Sequence, residues 1–402
     1  MKILFLHNNF PAQFGSIGQY LASQGWQVTY LTQRQGAKAD GIETVVYRDR
    51  EQPKDLKPHP FLGGTTKAAV TGASAAEVGA LLRTKKDYTP DVIVAHSGWG
   101  PGMFMKDVWP DTPYVGYFEW WYNGEADDIA FLQGPGRPVL ERARERMRNA
   151  PIQTDLAACD AGLVPTRYQA SQFPPFYQDK LTVMHDGIDT QTYAPGDPGA
   201  VTFGPHTFKK GDETVTYVAR GMEPYRGFPA FMEALGRVQK RRPNLRAIIV
   251  GEDRAAYGRT LSSGKTFKED ALERLDLDES RIVFTGLLPR TQYLRVLQVS
   301  ALHTYLTVPF VLSWSSMEAM SAGCLMLSSD VAPVREVMQN GENAVLADHT
   351  DADALAEALH DTLERREALA PMRAAARRTI TDSYAARDVY PAKKVWLAGL
   401  AR

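Results

Sequence analysis

Cysteine is nearly absent from this sequence of 402 residues, which contains only Cys159 and Cys324. Neither cysteine lies in the close pairs, or in the clusters with histidine, that bind zinc. Two isolated thiols in apolar surroundings are typical of buried free cysteines in a reducing compartment. We therefore expect neither a disulfide framework nor a structural zinc site.

An excess of charge of one sign and a long hydrophobic run are also lacking. The formal net charge is −1 and neither end carries a basic tail, so we do not expect nucleic acid as a partner. The apolar run within MKILFLHNNF is too short for a signal peptide or a membrane span, which predicts a cytoplasmic protein. The basic run RPVLERARERMRNA leaves open a peripheral contact with anionic lipid at the inner face of the membrane, although its glutamates fit a solvated helix face better.

The length of the chain favours two domains rather than one core. Apolar strand-like runs alternate with helical segments in both halves, and a Pro/Gly-rich passage at 195–212 separates them. We predict an α/β protein with Rossmann-like doubly wound domains at 1–195 and 212–382 that face each other across a cleft, followed by a C-terminal helix at 383–402. The irregular stretches 52–71 and 122–138 are predicted to be long loops.

The segment VPFVLSWSSMEAMSAGCLMLSSDV places Glu318 in a helix of small residues between two strand-like runs. Free amides of Ser313, Trp314 and Ser315 are expected at the start of this helix, where phosphate binds favourably. Glu318 is then either an ordinary solvated glutamate or a partner for the hydroxyl groups of a ligand.

Arg220 and Arg226 follow the first predicted strand of the second domain, in VARGMEPYRGF. Two guanidinium groups in this place could bind a diphosphate and stabilise its charge as it leaves. The alternative is a pair of solvated loop arginines.

Other loops after predicted strands are weaker candidates for a nucleotide site. Gly15, in NNFPAQFGSIG, would let the backbone approach a ligand in front of a helix, although such turns are common without a ligand. Gly286 and Leu287 end a strand and could present backbone groups and an apolar wall to a base. Glu252, at the end of the neighbouring strand, would also lie near the base.

The first domain offers a candidate site for sugar. His96 ends DVIVAH, and Glu119 follows the next strand, immediately before Trp120, Trp121 and Tyr122. Aromatic faces stack on carbohydrate and carboxylates accept hydrogen bonds from hydroxyl groups, so these residues are candidates for acceptor binding, with Glu119 also a candidate for catalysis. The alternatives are aromatic side chains that pack a loop and a histidine that is satisfied by the backbone.

No metal site is predicted. Asp127 and Asp128 are adjacent in a predicted loop and have no histidine or cysteine beside them.

Together these residues resemble the retaining glycosyltransferases of family 4, which have the GT-B fold. Members carry two glutamates separated by seven intervening residues, followed by A-M-x-x-G, and Glu318, Ala319, Met320 and Gly323 match the second half of this pattern. The resemblance implies that Glu318 holds the ribose of the donor. The first glutamate of the family falls at Phe310, which implies that the donor sugar is recognised differently here.

The resemblance extends over nearly the whole chain. Arg220 and Arg226 match the basic pair of the family on the pyrophosphate, and HDGID with Tyr193 resembles its interdomain signature. Glu119 stands where the family usually has a histidine near the reacting sugar, so its role toward the donor sugar, the acceptor or the transition state stays open. The resemblance also implies that the last helix returns to the first domain.

The residues and the resemblance together predict a metal-independent transferase without a cofactor, which moves a sugar from a nucleoside diphosphate sugar to a carbohydrate or lipid-linked acceptor. Retention of configuration is what the resemblance implies. The alternatives are a GT-B phosphorylase, hydrolase or epimerase, and a degenerate protein of this fold that binds a nucleotide sugar or a partner without chemistry.

Overall fold

The computed structural model of the chain describes residues 1–51 and 58–401, so the part of the predicted loop at 52–57 lies outside the described residues. The described chain forms two compact units. The first comprises Met1–Ile129, Gln133–Gly187 and Arg387–Arg402, and the second comprises Ala130–Leu132 and Ile188–Ala386. The division between Gly187 and Ile188 falls within the HDGID segment.

The first unit is built on a parallel sheet of seven strands in the order β3-β2-β1-β4-β5-β6-β7. Its strands are β1 (Lys2–Leu6), β2 (Gln27–Thr32), β3 (Ile42–Val46), β4 (Val92–His96), β5 (Tyr114–Tyr117), β6 (Ala161–Val164) and β7 (Leu181–Val183). Its helices are α1 (Gly15–Ser23), α2 (Gly63–Lys86), α3 (Met105–Val108), α4 (Asp127–Gln133), α5 (Val139–Met147), α6 (Ala150–Ala158) and α7 (Arg167–Ser171).

Strand β1 shows why this sheet forms. Its side chains alternate between two hydrophobic clusters, with Leu4 and Leu6 in one and Ile3 and Phe5 in the other. All four are at most 1% exposed. A strand whose two faces are both covered must be apolar where it is covered, and the buried residues 3–6, ILFL, meet this requirement, whereas Lys2 at the start of the strand is exposed.

The second unit contains a parallel sheet of six strands in the order β12-β11-β10-β13-β14-β15, and the short antiparallel hairpin β8-β9. Its strands are β8 (Val201–Phe203), β9 (His206–Phe208), β10 (Thr214–Gly221), β11 (Arg246–Glu252), β12 (Ile282–Gly286), β13 (Leu302–Tyr305), β14 (Met326–Ser329) and β15 (Val345–Ala347). Its helices are α8 (Phe228–Arg241), α9 (Phe267–Arg274), α10 (Arg290–Val299), α11 (Trp314–Ser321), α12 (Ala332–Arg335), α13 (Ala352–Glu364) and α14 (Ala370–Ser383).

Strand β11 of the second unit is buried on both faces, as β1 is in the first unit. Ala247 and Ile249 contribute to one hydrophobic cluster, whereas Ile248 and Val250 contribute to another. Both units are therefore parallel sheets that are buried on both faces, which confirms the predicted α/β class.

Each sheet has one point at which the strand order reverses. In the first unit it lies between β1 and β4, and in the second between β10 and β13. In open α/β sheets, ligands bind beside the carboxyl ends of the strands at such a point. Side chains that follow these four strands are thus the first candidates for function.

Two regions that the sequence predicted to be loops contain helices. Residues 63–71 open α2, and residues 127–133 form α4. Helix α2 escaped prediction because its buried positions are small residues such as Ala68, Gly72 and Ala75, which give no periodic pattern of large apolar side chains. Although α2 has 24 residues, no helix among residues 1–51 and 58–401 has the length and apolar character needed to cross a membrane.

The last helix, α15 (Ala386–Leu400), belongs to the first unit from Arg387 onward, as predicted. Its Leu397 is 2% exposed in the cluster that contains Ile3 and Phe5. Lys393 Nζ lies 3.3 Å from a carboxylate oxygen of Asp186, and both side chains are buried. This helix is therefore an integral part of the first core.

Candidate functional site

Arg226 is the central basic group of the second unit. It follows β10 in a short turn of 3-10 helix at Pro224–Arg226 and is only 6% exposed. Its Nη1 lies 3.1 Å from Tyr305 Oη, 3.0 Å from Thr307 Oγ1 and 3.0 Å from the carbonyl oxygen of Val311. Arg226 thus connects the end of β10 to the loop after β13, across the point where the strand order reverses.

Arg220 differs from Arg226 in its surroundings. It lies near the end of β10 and is exposed, so its guanidinium group is accessible to an anion without a rearrangement of the core. The predicted basic pair is therefore one buried residue and one exposed residue, rather than two solvated loop arginines.

Glu223, between the two arginines, fixes a neighbouring loop. Its side chain is fully buried, and one carboxylate oxygen accepts hydrogen bonds from the backbone amides of Ala256 and Tyr257, the latter at 2.9 Å. Burial raises the pKa of this carboxyl group, although the two amide hydrogen bonds and the charge of Arg226 oppose the rise. The loop after β11 is consequently held beside Arg226.

Phe310 lies in an aromatic cluster formed with Tyr225 and Tyr257. Its ring centroid is 5.2 Å from that of Tyr225 and 5.4 Å from that of Tyr257, with steep interplanar angles of 86° and 64°. The guanidinium carbon of Arg226 is 5.4 Å from the Tyr257 ring and 5.9 Å from the Phe310 ring. At the position where the resemblance implies an acidic residue, this chain has an aromatic ring that packs beside the buried arginine.

Helix α11 begins as the sequence predicted, with Ser313 as its N-cap. The expectation of free amides needs correction, however. The Ser313 amide donates to Tyr305 Oη at 2.9 Å, and the Ser315 amide contacts Ser313 Oγ at 3.3 Å. The cap residue itself supplies partners to the first turn, and Trp314 is 39% exposed beside it.

Glu318 faces a polar cluster rather than bulk solvent. The hydroxyl groups of Tyr193 and Tyr293 lie within hydrogen-bonding reach of its carboxylate, and Arg290 is close enough to add its charge. Arg290 Nε donates to Tyr193 Oη at 3.1 Å. Burial raises the pKa of Glu318, and the two tyrosines and Arg290 oppose this rise. Glu318 is therefore not the ordinary surface glutamate that the sequence left open.

The remaining predicted donor residues of this unit lie at neighbouring strand ends. Glu252 ends β11, and its Oε2 accepts a hydrogen bond from Arg254 Nε at 2.6 Å. Gly286 ends β12 with a φ of +67°, a conformation that favours glycine, and Leu287 is 63% exposed after it. An exposed leucine beside a turn with positive φ is compatible with a contact to a flat ligand.

Glu119 is the centre of the candidate site in the first unit, after β5. Its side chain is 32% exposed; Gln13 Nε2 donates to Oε1 at 2.6 Å, and His96 Nε2 lies 3.3 Å from Oε2. Burial favours a higher pKa for Glu119, but hydrogen bonds from His96 and Gln13, together with the charge of His96, bring the pKa below its usual value. Glu119 is thus held as a carboxylate.

Two histidines lie under this carboxylate at the ends of β1 and β4. His7 and His96 are 6% and 3% exposed, and their ring centroids are 4.7 Å apart. Burial, followed by the charge of His96, lowers the pKa of His7 to about 3. The site therefore lies where the order of the first sheet reverses, as in the second unit.

The aromatic residues after Glu119 mainly pack the structure. Trp120 is 6% exposed, and the Trp121 ring lies 5.7 Å from that of Phe173. Tyr122 lies under the guanidinium group of Arg148 at 3.6 Å. These contacts favour loop packing over the predicted stacking on sugar, which leaves Glu119 and His96 as the stronger candidates.

Gly15 has a structural reason to be glycine. A Cβ atom at this position would lie 2.2 Å from Cβ of Pro11, and the Gly15 amide already donates to the carbonyl oxygen of Pro11 at 2.8 Å. Packing against Pro11 is thus sufficient to explain why this position is glycine, without the predicted contact with the donor.

Two family profiles match the chain. The profile of the glycosyl transferase family 4 group covers residues 24–193, and that of the glycosyl transferases group 1 covers residues 212–365. The chain belongs to the family 4, group 1 glycosyltransferases. Arg220, Arg226 and Glu318 lie within the second matched region, and His96 and Glu119 lie within the first.

Solved structures show the same fold over the full length of this glycosyltransferase. Sucrose-phosphate synthase from Thermosynechococcus elongatus matches with a TM-score of 0.72 at 15% identity, covering 100% of this chain and 99% of that one. HepE from Anabaena, in complex with UDP and glucose, matches with 0.70 at 16% identity over 99% and 100%. The catalytic domain of starch synthase IV from Arabidopsis thaliana, bound to ADP and acarbose, matches with 0.67 at 12% identity over 100% and 99%. No curated protein matches the sequence.

Several residues at the two sites of the glycosyltransferase were not predicted from the sequence. They are His7, Gln13, Glu223, Tyr257 and Arg290. His7 directly follows an apolar strand and could have been found by that rule, whereas the others lie in loops or at a helix start without a signal. Among the described residues, histidine, cysteine, aspartate and glutamate form no cluster that could hold a metal ion. That catalysis needs no metal stays a prediction.

Proposed function

We propose that this glycosyltransferase moves a sugar from a nucleoside diphosphate sugar to a carbohydrate or lipid-linked acceptor, with retention of configuration and without a metal ion. The observation that carries the proposal is Arg226, which is buried at the reversal point of the second sheet and bonded to the loop that leads into α11. A guanidinium group fixed in this way is preorganised to stabilise the charge of a leaving diphosphate.

In this proposal, different residues of the second unit contact different parts of the donor. Arg220 and Arg226 supply the positive charge that a divalent cation would otherwise supply to the diphosphate. Glu318, between Tyr193 and Tyr293, accepts hydrogen bonds from the ribose hydroxyl groups. Leu287 and Gly286 border the base.

UDP is the first nucleotide to test, because the structurally similar HepE was solved with UDP and with UDP-glucose. Calorimetric titration with UDP, GDP and ADP, each with magnesium and with EDTA, measures both the choice of base and the need for a metal. Micromolar binding of one nucleotide that does not depend on magnesium is expected. Binding that requires magnesium would contradict the metal-independent mechanism.

Variants test the site. Arg220→Ala and Glu318→Ala should each lower turnover of the donor at least about tenfold, the scale of one lost charge-assisted contact. Arg237→Ala is a matched control, because Arg237 is an exposed arginine of α8 that pairs with Asp353. Near-normal turnover in both site variants would overturn the assignment.

A second candidate is a protein that binds nucleotide sugar without transferring it. The aromatic cluster around Phe310 favours this candidate. The ring of Phe310 stands where the resemblance implies an acidic side chain, and the ring cannot accept a hydrogen bond from a sugar hydroxyl group as a carboxylate does. Transfer to a panel of sugars and lipid-linked sugars distinguishes the two. Nucleotide binding without transfer to any member, and without hydrolysis, would support the second candidate.

A further inference from the structure

Trp99 is the most exposed of the seven tryptophans, with 55% of its surface accessible to water. It lies in the loop SGWGPG, residues 97–102, which follows β4 where the strand order of the first sheet reverses. Large aromatic side chains stabilise a protein when they are buried, so an indole left in water gives up this contribution. Its exposure is informative if the loop that carries it is rigid.

A buried carboxylate anchors this loop before Trp99. Asp155, on α6, has no exposed surface. Its Oδ2 accepts a hydrogen bond from Ser97 Oγ at 2.7 Å, and its Oδ1 accepts one from Tyr114 Oη at 2.9 Å. The Ser97 amide donates to the carbonyl oxygen of Tyr117 at 2.9 Å, which continues the pairing of β4 with β5. Ser97 is therefore fixed to a helix and to a strand.

Two glycines hold the backbone on either side of Trp99. Gly98 and Gly100 have φ angles of +85° and +98°, which favour glycine. A Cβ atom at Gly100 would lie 2.0 Å from the carbonyl oxygen of Ala68, so the loop packs directly on the backbone of α2. The carbonyl oxygen of Gly100 accepts a hydrogen bond from the Met103 amide at 3.0 Å. The indole is thus presented by a fixed backbone, which lowers the entropy lost when a ligand binds.

The neighbours of Trp99 belong to the candidate site of the first unit. The Trp99 and His96 ring centroids are 6.3 Å apart, and His96 Nε2 lies 3.3 Å from Glu119 Oε2. Glu119 is held from two sides, because Gln13 Nε2 donates to its Oε1 at 2.6 Å and Gln169 Nε2 donates to its carbonyl oxygen at 2.8 Å. An exposed aromatic ring and a partly exposed carboxylate are therefore both fixed around the buried His96.

We propose that Trp99 is a stacking platform for a neutral pyranose ring of the acceptor. The C–H groups on one face of a pyranose pack on an aromatic ring, while hydroxyl groups at its edge bind polar side chains such as Glu119. The rings of Trp120, Trp121 and Tyr122 pack their own loop, whereas Trp99 exposes more than half of its surface. That the pyranose is an acceptor rests on the proposed function, but its binding to Trp99 does not.

Fluorine NMR of the full chain labelled with 5-fluorotryptophan tests the platform without a donor. The Trp99 signal is assigned by its loss in Trp99→Phe. The probes are the methyl glycosides of glucose, galactose, mannose and N-acetylglucosamine. At least one of them should shift the Trp99 signal in a saturable manner and leave the signals of the buried Trp26 and Trp109 unchanged. If none of the four shifts the Trp99 signal, the proposal is wrong.

Variants separate stacking from a general apolar contact. Saturation-transfer NMR measures the affinity for the same glycosides in unlabelled protein. Trp99→Ala and Trp99→Leu should each bind at least about fivefold more weakly than wild type, because neither offers a ring face, and Trp99→Phe should keep most of the affinity. Phe176→Ala is the matched control, since Phe176 is 75% exposed in the 3-10 turn Pro175–Lys180, and it should bind as wild type. Wild-type affinity in Trp99→Leu or in Trp99→Ala would contradict stacking.

An alkyl chain is the other ligand that could cover an exposed indole. Octyl glucoside and methyl glucoside carry the same sugar and differ only in the chain. Both should shift the Trp99 fluorine signal if the pyranose stacks on it. A shift with octyl glucoside and with no methyl glycoside would assign Trp99 to an alkyl chain and refute the proposal.

Transfer assays separate this inference from the proposed function. With UDP-glucose as donor, Trp99→Ala should raise the KM for the acceptor at least about fivefold and leave the KM for the donor unchanged. If wild type transfers sugar and Trp99→Ala keeps the wild-type KM for the acceptor, the platform is wrong and the proposed function stands. If glycosides bind at Trp99 but no nucleotide sugar supports transfer, the platform stands and the proposed function fails.

Discussion

Replacing Arg226 with methionine should lower both the stability of the protein and its affinity for nucleotide. Methionine keeps most of the volume of arginine but removes the donors that serve Tyr305, Thr307 and Val311. One nitrogen has only two hydrogens for these three acceptors, so we count two hydrogen bonds as lost. A buried polar group left without its hydrogen-bond partner costs about 1–3 kcal/mol. For two lost hydrogen bonds, and because some of the acceptors keep other hydrogen bonds, we expect the free energy of unfolding to fall by about 2–4 kcal/mol.

For a unit of this size each kcal/mol changes the unfolding temperature by about 2–4 °C, so Arg226→Met should unfold about 4–16 °C below wild type. Arg220→Met is the matched control, because Arg220 is exposed and surface substitutions usually change stability by less than about 0.5 kcal/mol. Both variants should bind nucleotide at least about tenfold more weakly, since each loses a charge-assisted contact with phosphate.

Differential scanning calorimetry and titration with UDP measure the two effects in the same samples. The reasoning would be refuted by an Arg226→Met protein that unfolds within 1 °C of wild type, or by an Arg220→Met protein that is equally destabilised. In the first case the hydrogen bonds of Arg226 contribute nothing to the fold. In the second, Arg220 has a structural role that its exposure does not reveal.

Three further predictions concern other parts of the molecule. Tyr193→Phe removes the hydroxyl group between Arg290 and Glu318, so UDP should bind about 3–10-fold more weakly while 2′-deoxy-UDP is affected less, as calorimetry would show. Phe310→Glu restores the acidic residue that the family carries at this position, so UDP affinity should stay within about threefold of wild type in the same assay, and a loss of about tenfold or more would count against this location. Burial lowers the pKa of His303 to about 3, so between pH 6.5 and 3 the unfolded chain binds a proton that the folded chain does not. The unfolding temperature of wild type should therefore fall from pH 7 to pH 5, and that of His303→Asn should fall less steeply. Equal slopes of unfolding temperature against pH in the two proteins would contradict the low pKa of His303.

Most of the sheet framework could be predicted because its strands are buried on both faces. Short apolar runs such as ILFL and AIIV, bounded by polar or loop residues, are typical of strands covered on both faces, and they lie in β1 and β11. Helix α2 could not be predicted in the same way. Its buried face is made of alanine, glycine, threonine and serine. Which small residues of a helix are buried depends on the element that packs on them; here a Cβ atom at Gly72 would lie 2.7 Å from the carbonyl oxygen of Gly100.

The candidate site was predictable where a side chain directly follows a strand. Glu119 and Arg226 could be singled out because the carboxyl edge of a parallel sheet collects ligand-binding groups. Their environment could not be predicted, because it depends on distant loops. Gln13 reaches Glu119 across 106 positions of the chain, and Glu223, which looks like a solvated residue between two arginines, proves to be fully buried.

The return of the last helix to the first unit has a consequence for how the protein is made. Residues 387–402 leave the ribosome after the whole of the second unit, and until then Leu397 and Tyr390 are missing from the core that contains Ile17 and Leu21. Part of the apolar surface of the nascent first unit therefore stays uncovered until the second unit has been synthesised. A fragment that stops at residue 187 should need a peptide of residues 387–402, added in trans, to reach its full stability.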